Sequence, residues 1–142
     1  MADAFLWVEL RAFCHPTEQE DRVRKALEAA ALGAPVTATQ VKGHFGPPLL
    51  ILTARLDASE AKKAFWKRLR GAPGMDRVLE SIKDRVDDDC ILHLRLDKQR
   101  AHWGTLEVVD HDDVISVRAK IASFPAKRNE AARRAKAYLA GL

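Results

Sequence analysis

Residues 5–14, FLWVELRAFC, alternate without a break: Leu6, Val8, Leu10, Ala12 and Cys14 fall on one side, and Trp7, Glu9, Arg11 and Phe13 on the other. That period predicts an extended strand with one buried and one solvated face. Such a strand needs partners along its edges and an apolar layer over one side only. The remaining sequence supplies both.

Thr17 and Glu20 have the spacing of a capping box, and Val23, Ala26, Leu27 and Ala30 then recur at helical intervals until Gly33 and Pro35, which predicts a helix over 17–32. Residues 36–42 and 49–56 are expected as strands joined by the irregular KGHFGPP. A helix is expected over 58–70. Met75, Val78, Leu79, Ile82 and Val86 form an apolar stripe that predicts a second over 75–86. The acidic turn Asp87–Asp89 opens a strand at 90–96, and DKQRAHWG is expected as a loop before short strands at 105–109 and 114–122. A last helix should start near Pro125, with Ser123 as its cap. Helices and strands mix without strict alternation, so the expected class is α+β: an antiparallel-rich sheet with helices packed on one face.

At 142 residues the chain has the size of one domain, 1–142, able to bury a core without disulfides. Cys14 and Cys90 are too few for a disulfide framework. No apolar run approaches a membrane span, and Val8-Glu9-Leu10-Arg11 interrupts the N-terminal hydrophobic stretch. The expected address is the cytoplasm.

If helices cover the apolar side, the other side carries Arg11, Arg55, Arg95, Arg118 and Lys120 against Glu9 and Glu107, with Trp7 and His93 among them. Any solvated sheet face carries some cations, but this one is expected to be net basic. The charge is also uneven along the chain. Residues 115–142 hold seven basic side chains and one acid, giving +6, whereas residues 1–114 total −2 within a whole-chain charge of +4. Cations near the end of the last helix suit its dipole. Lys127 and Arg128, in its expected first turn, do not, and a phosphate backbone is a natural partner for them.

KGHFGPP offers Lys42, His44 and Phe45, while DKQRAHWG offers Lys98, Gln99, Arg100, His102 and Trp103. Cations interleaved with rings suit RNA, whose unstacked bases lie on aromatic faces. Phe45 and Trp103 would otherwise be plugs closing the ends of the core. His15, His44, His93, His102 and His111 lack the short spacing of a zinc site, and no cofactor or metal is expected. The acids Asp87 to Asp89 and Asp110 to Asp113 suit turn hydrogen bonding. They also define the alternative of a metal-dependent RNA nuclease. A third alternative is a module whose basic strip docks an acidic protein.

LRAFCHPTE (10–18), GHFGPPLLIL (43–52), RVDDDCILHLRLDKQ (85–99) and VISVRAKIASFPAKR (114–128) together resemble an archaeal family of small RNA-binding proteins described as predicted exosome subunits. The chain departs from that pattern at Pro47, where the family commonly has Asn, and at His93 and Phe124, where it has Tyr. The resemblance implies a fold similar to that of the large-subunit ribosomal protein that binds 5S RNA. It also implies RNA binding without an established catalytic centre. His15, Gly43, His44, Gly46, Arg95, Asp97, Lys98, Gln99, Arg118, Lys120, Lys127 and Arg128 are the motif residues present here. The expected RNA-contacting set is therefore Arg11, His15, Lys42, His44, Arg95, Lys98, Gln99, Arg100, His102, Arg118, Lys120, Lys127 and Arg128, in a non-enzymatic accessory factor with exosome or ribosome components as further partners.

Overall fold

The alternation at the N-terminus becomes the middle of a sheet. In the computed structural model, which describes residues 4–41, 49–124 and 126–142, β1 (Phe5–Cys14) lies between β3 (Leu49–Leu56) and β5 (Val114–Ile121). Strands β2 (Val36–Val41) and β4 (Ile91–Asp97) complete a five-stranded sheet of order β2-β3-β1-β5-β4 in which every pairing is antiparallel. Val8, Leu10 and Ala12 on β1 meet Leu52, Ala54 and Leu56 of β3 and Ile115, Val117 and Ala119 of β5, all buried.

Helix α1 (Glu20–Ala30) adds Val23, Ala26, Leu27 and Ala30 to that core, α2 (Ser59–Arg70) adds Phe65, Trp66 and Leu69, and α6 (Arg128–Ala140) adds Ala131, Ala132, Ala135 and Leu139. The α+β class is as the periodicities predict. Removing this much apolar surface from water is the main term that holds such a fold.

The start of β1 departs from simple alternation. Phe5 is paired with Ile121 and Trp7 with Lys120, so one residue is extra and Leu6 is displaced to the surface. This bulge turns Phe5 inward, where its ring stacks on Trp66 at 4.5 Å. The buried Lys62 donates its ammonium to the carbonyls of Phe5 (2.8 Å) and Leu6 (3.2 Å). Leu6, expected inside, is thus outside.

Other local expectations shift for identifiable reasons. α1 begins at Glu20, with Gln19 rather than Thr17 as an N-cap that makes no side-chain bond; the Gln19 carbonyl accepts the Arg22 and Val23 N–H groups, and Glu18 accepts the His15 N–H. The expected helix over 75–86 is two helices, α3 (Met75–Glu80) and α4 (Ile82–Arg85), broken at Ser81. Ser81 donates to the Arg77 carbonyl and accepts from Arg85. Residues 105–109 do not form a strand and make one bridge, Val108 to Leu96. Within DKQRAHWG lies a short helix, α5 (Lys98–His102), capped by Asp97, whose carboxylate accepts the Arg100 N–H at 2.9 Å. α6 starts at Arg128 with Lys127 as N-cap, so Ser123 is not its cap. Pro125 and all of KGHFGPP, including Lys42, Gly43, His44, Phe45 and Gly46, lie outside the described residues.

Candidate nucleic-acid interface

The register fixes what the uncovered face presents. Across adjoining strands, Arg55 of β3 is paired with Glu9 of β1, Glu9 with Arg118 of β5, and Arg118 with His93 of β4. The neighbouring row is Thr37, Thr53, Arg11, Ser116 and Arg95. Trp7 and Lys120 form the next, and the Arg55 guanidinium sits 4.8 Å above the Trp7 ring. The five expected cations therefore share one surface. Glu107 is not on it: its carbonyl accepts from Asp97 at the outer edge of β4, and its carboxylate pairs with Arg100 at 2.6 Å.

Each cation of the face is held by an acceptor. Glu9 takes Arg11 at 3.4 Å and Arg118 at 3.7 Å on the same carboxylate oxygen. Arg55 pairs with Asp57, Arg95 reaches Asp112 and the carbonyls of Asp110 and His111, and Lys120 donates to the Asp89 carbonyl. These contacts are half-exposed. They orient the cations without removing them from solvent, where each such pair is worth little.

Along β4 the outer edge is covered at both ends. The Asp87 N–H reaches the Ile91 carbonyl, and the Val109 N–H reaches that of Arg95. Between these ends opens a cleft of about 740 Å³ lined by Arg85, Asp87, His93, Arg95, Asp110 and Arg128. His93 Nε2 is 2.7 Å from Asp87 Oδ2. Burial alone would raise the Asp87 carboxyl, but the His93 ring and the Ile91 and Asp89 N–H groups outweigh it and hold the group below its ordinary range. Arg128 closes one side, donating to the Lys83 carbonyl at 3.2 Å with Asp88 3.8 Å away. Its place in the first turn of α6 thus has a structural reason. Lys127 is exposed and makes no ion pair among the described residues.

The expected loop contacts divide. Lys98 is buried, and its ammonium meets Asp113 at 2.7 Å, Glu18 at 2.9 Å and the Phe13 carbonyl at 3.2 Å. A cation so placed has no free donor face for a phosphate, so Lys98 is a strut between β1 and the turn before β5. Gln99 and Arg100 are exposed, with Gln99 3.5 Å from Asp113. His102 is half-buried, and its Nδ1 has no hydrogen-bond partner among the described residues. His15 is exposed at the end of β1. Trp103, considered as a core plug, is instead 76% exposed.

The acidic clusters are dispersed by their own pairings. Asp87 faces His93, Asp110 faces Arg77 and Arg85, Asp112 faces Arg95 and Asp113 faces Lys98. Among the described residues no three ligating side chains converge as a metal site would need.

The family model described as RNA binding matches residues 7–121, from β1 to the end of β5. The chain belongs to this RNA-binding family. A relative from Pyrococcus abyssi, RNA-binding protein PAB1135, is 30% identical over 94% of this chain and 93% of its own length. Uncharacterized protein MJ0213 from Methanocaldococcus jannaschii is 32% identical over 87% and 89%. The solved structure of Mth689, a DUF54 protein from Methanothermobacter thermautotrophicus, is 31% identical and superposes with a TM-score of 0.83 over 96% of this chain and 99% of that one. In this RNA-binding family member the matched span takes in β1 from Trp7 onward, the other four strands and α5, and stops before α6. No helix among the described residues is long and apolar enough to cross a membrane.

Proposed function

We propose that residues 1–142 act as a single RNA-binding domain in the cytoplasm, serving RNA processing or degradation as a non-enzymatic accessory factor, with exosome or ribosome components as further partners, on a fold akin to that of the 5S-RNA-binding ribosomal protein. One observation carries the reading: Arg11, Arg55, Arg95, Arg118 and Lys120 occupy the single sheet face that the helices leave open. Arg95, Arg118, Lys120, Lys127 and Arg128 make the phosphate contacts. Gln99 and His102, at α5, meet riboses or base edges. The name of the Pyrococcus abyssi relative supports the same ligand class.

Salt titration tests it. Five phosphates neutralised on single-stranded RNA give a log K against log salt slope of roughly −3.5. A slope near zero removes the electrostatic model. Cleavage of the RNA on addition of Mg²⁺, abolished by Asp88→Ala, replaces it with the nuclease.

A further inference from the structure

We infer that Trp103 is a stacking platform for an unpaired base, so that the RNA ligand presents a single-stranded segment to the α5 end of the molecule. This rests on the RNA-binding reading above and names the kind of RNA it requires. Trp103 is the C-cap of α5 and is 76% exposed, although a buried indole would remove one of the largest apolar surfaces a side chain offers.

Its backbone is nonetheless firmly placed. Trp103 and Thr105 both donate to the Arg100 carbonyl, and Gly104, at φ 85°, donates to that of Ala101. Arg68 then clasps the Gly104 carbonyl and the Ala29 carbonyl, each at 2.7 Å, which ties the turn to α1. These hydrogen bonds fix the backbone beneath the ring, while most of the residue stays in solvent.

The surroundings select the ligand. His102 makes a T-shaped contact with the indole at 5.0 Å, leaving most of Trp103 in solvent. His102 also lines a neighbouring cavity of about 310 Å³ together with Gln19, Arg22 and Gln99. Gln99 and the cation Arg22 line that cavity beside His102, and Arg100, one helical turn before Trp103, is exposed and paired with Glu107. An acyl chain would find too little apolar surface here. A nucleotide finds all three of its needs: a ring to stack on, polar edges and a charge for phosphate. Paired bases are already stacked and cannot offer a face to Trp103, so the segment is unpaired.

The test titrates a short labelled single-stranded oligoribonucleotide, and the same strand annealed to its complement, with the full chain at fixed low salt. The wild type binds the single strand more tightly. Trp103→Ala and Trp103→Leu weaken single-strand binding about 5- to 150-fold, the range of about 1–3 kcal/mol typical of base stacking, and leave the duplex unaffected. Trp103→Phe retains most of the affinity. Trp103→Leu keeps an apolar side chain without the indole, and thermal melting checks that every variant is folded. If the wild type binds RNA and both Trp103→Ala and Trp103→Leu bind the single strand equally well, or if both RNAs weaken together, the platform is overturned while RNA binding stands. If the wild type binds neither RNA, the underlying reading falls instead.

Discussion

The ammonium of Lys98 lies 2.7 Å from the Asp113 carboxylate in a position only 3% exposed, joining α5 to the turn that starts β5. Glu18 completes the grip from the loop after β1. Lys98→Met therefore acts on stability, since removing one member of an enclosed ion pair leaves the others uncompensated. Asp113 and Glu18 retain some solvent, so the loss is moderate, about 1–3 kcal/mol in urea unfolding. The salt slope for RNA binding should stay at its wild-type value, because this cation faces no phosphate.

Acid should loosen the same region. The hydrogen bond from Lys98 holds the Asp113 carboxyl below its ordinary range; for Asp97 burial acts upward, but the Arg100 N–H and the His111 ring prevail and lower it, as the His93 contact does for Asp87. Groups depressed in the folded state contribute fully above their unfolded values near ~4, and the contribution is lost as pH falls through the folded values. Urea midpoints should be flat in these terms from neutral pH down to about 5 and then fall steeply. Asp113→Asn should blunt the fall.

Gly74 precedes α3 at φ 88°, and a Cβ there would stand 2.5 Å from the Val108 carbonyl oxygen. That backbone is itself fixed, since the Val108 N–H donates to the Pro73 carbonyl. Left-handed geometry alone costs an L side chain about 1–2 kcal/mol, and the clash adds to it. Gly74→Ala should lower stability by at least about 2 kcal/mol, read as a reduced melting temperature, with the α3 to β4 connection opening first in hydrogen exchange.

Strand periodicity made part of the sheet legible: β1 follows from alternation in FLWVELRAFC, and β3, β4 and β5 fall on the segments expected as strands. Strand order was not legible, because nothing local in the sequence says that β1 sits between β3 and β5. The break at Ser81 was hidden since the apolar stripe from Met75 to Val86 continues across it. Helix α5 spans too few residues for a period, although Asp97 three residues before Arg100 was an available capping signal. Within the site, the open-face cations could be read from parity alone. The enclosure of Lys98 could not, because one of its partners is 80 residues away along the chain.

The final prediction turns on Glu9. Its carboxylate sits at the centre of the open face, only 16% exposed, and binds both Arg11 and Arg118. It therefore competes with phosphate for Arg118. Glu9→Gln keeps the shape and an acceptor oxygen but removes the negative charge, leaving the face more positive by one unit. RNA affinity at low salt should rise several-fold, and the gain should shrink as added salt screens the field over a Debye length of ~10 Å at 0.1 M. Arg118→Ala should act in the opposite sense, reducing the magnitude of the salt slope by about 0.7 for each phosphate that the arginine neutralises. Because Arg118 is also one of two cations offsetting Glu9, the double variant separates the effects. If the arginine acts on phosphate, Arg118→Ala in the Glu9→Gln background still lowers the slope magnitude. If it serves only to neutralise Glu9, the slope no longer responds. Filter-binding titrations of the four proteins at several salt concentrations decide between these outcomes.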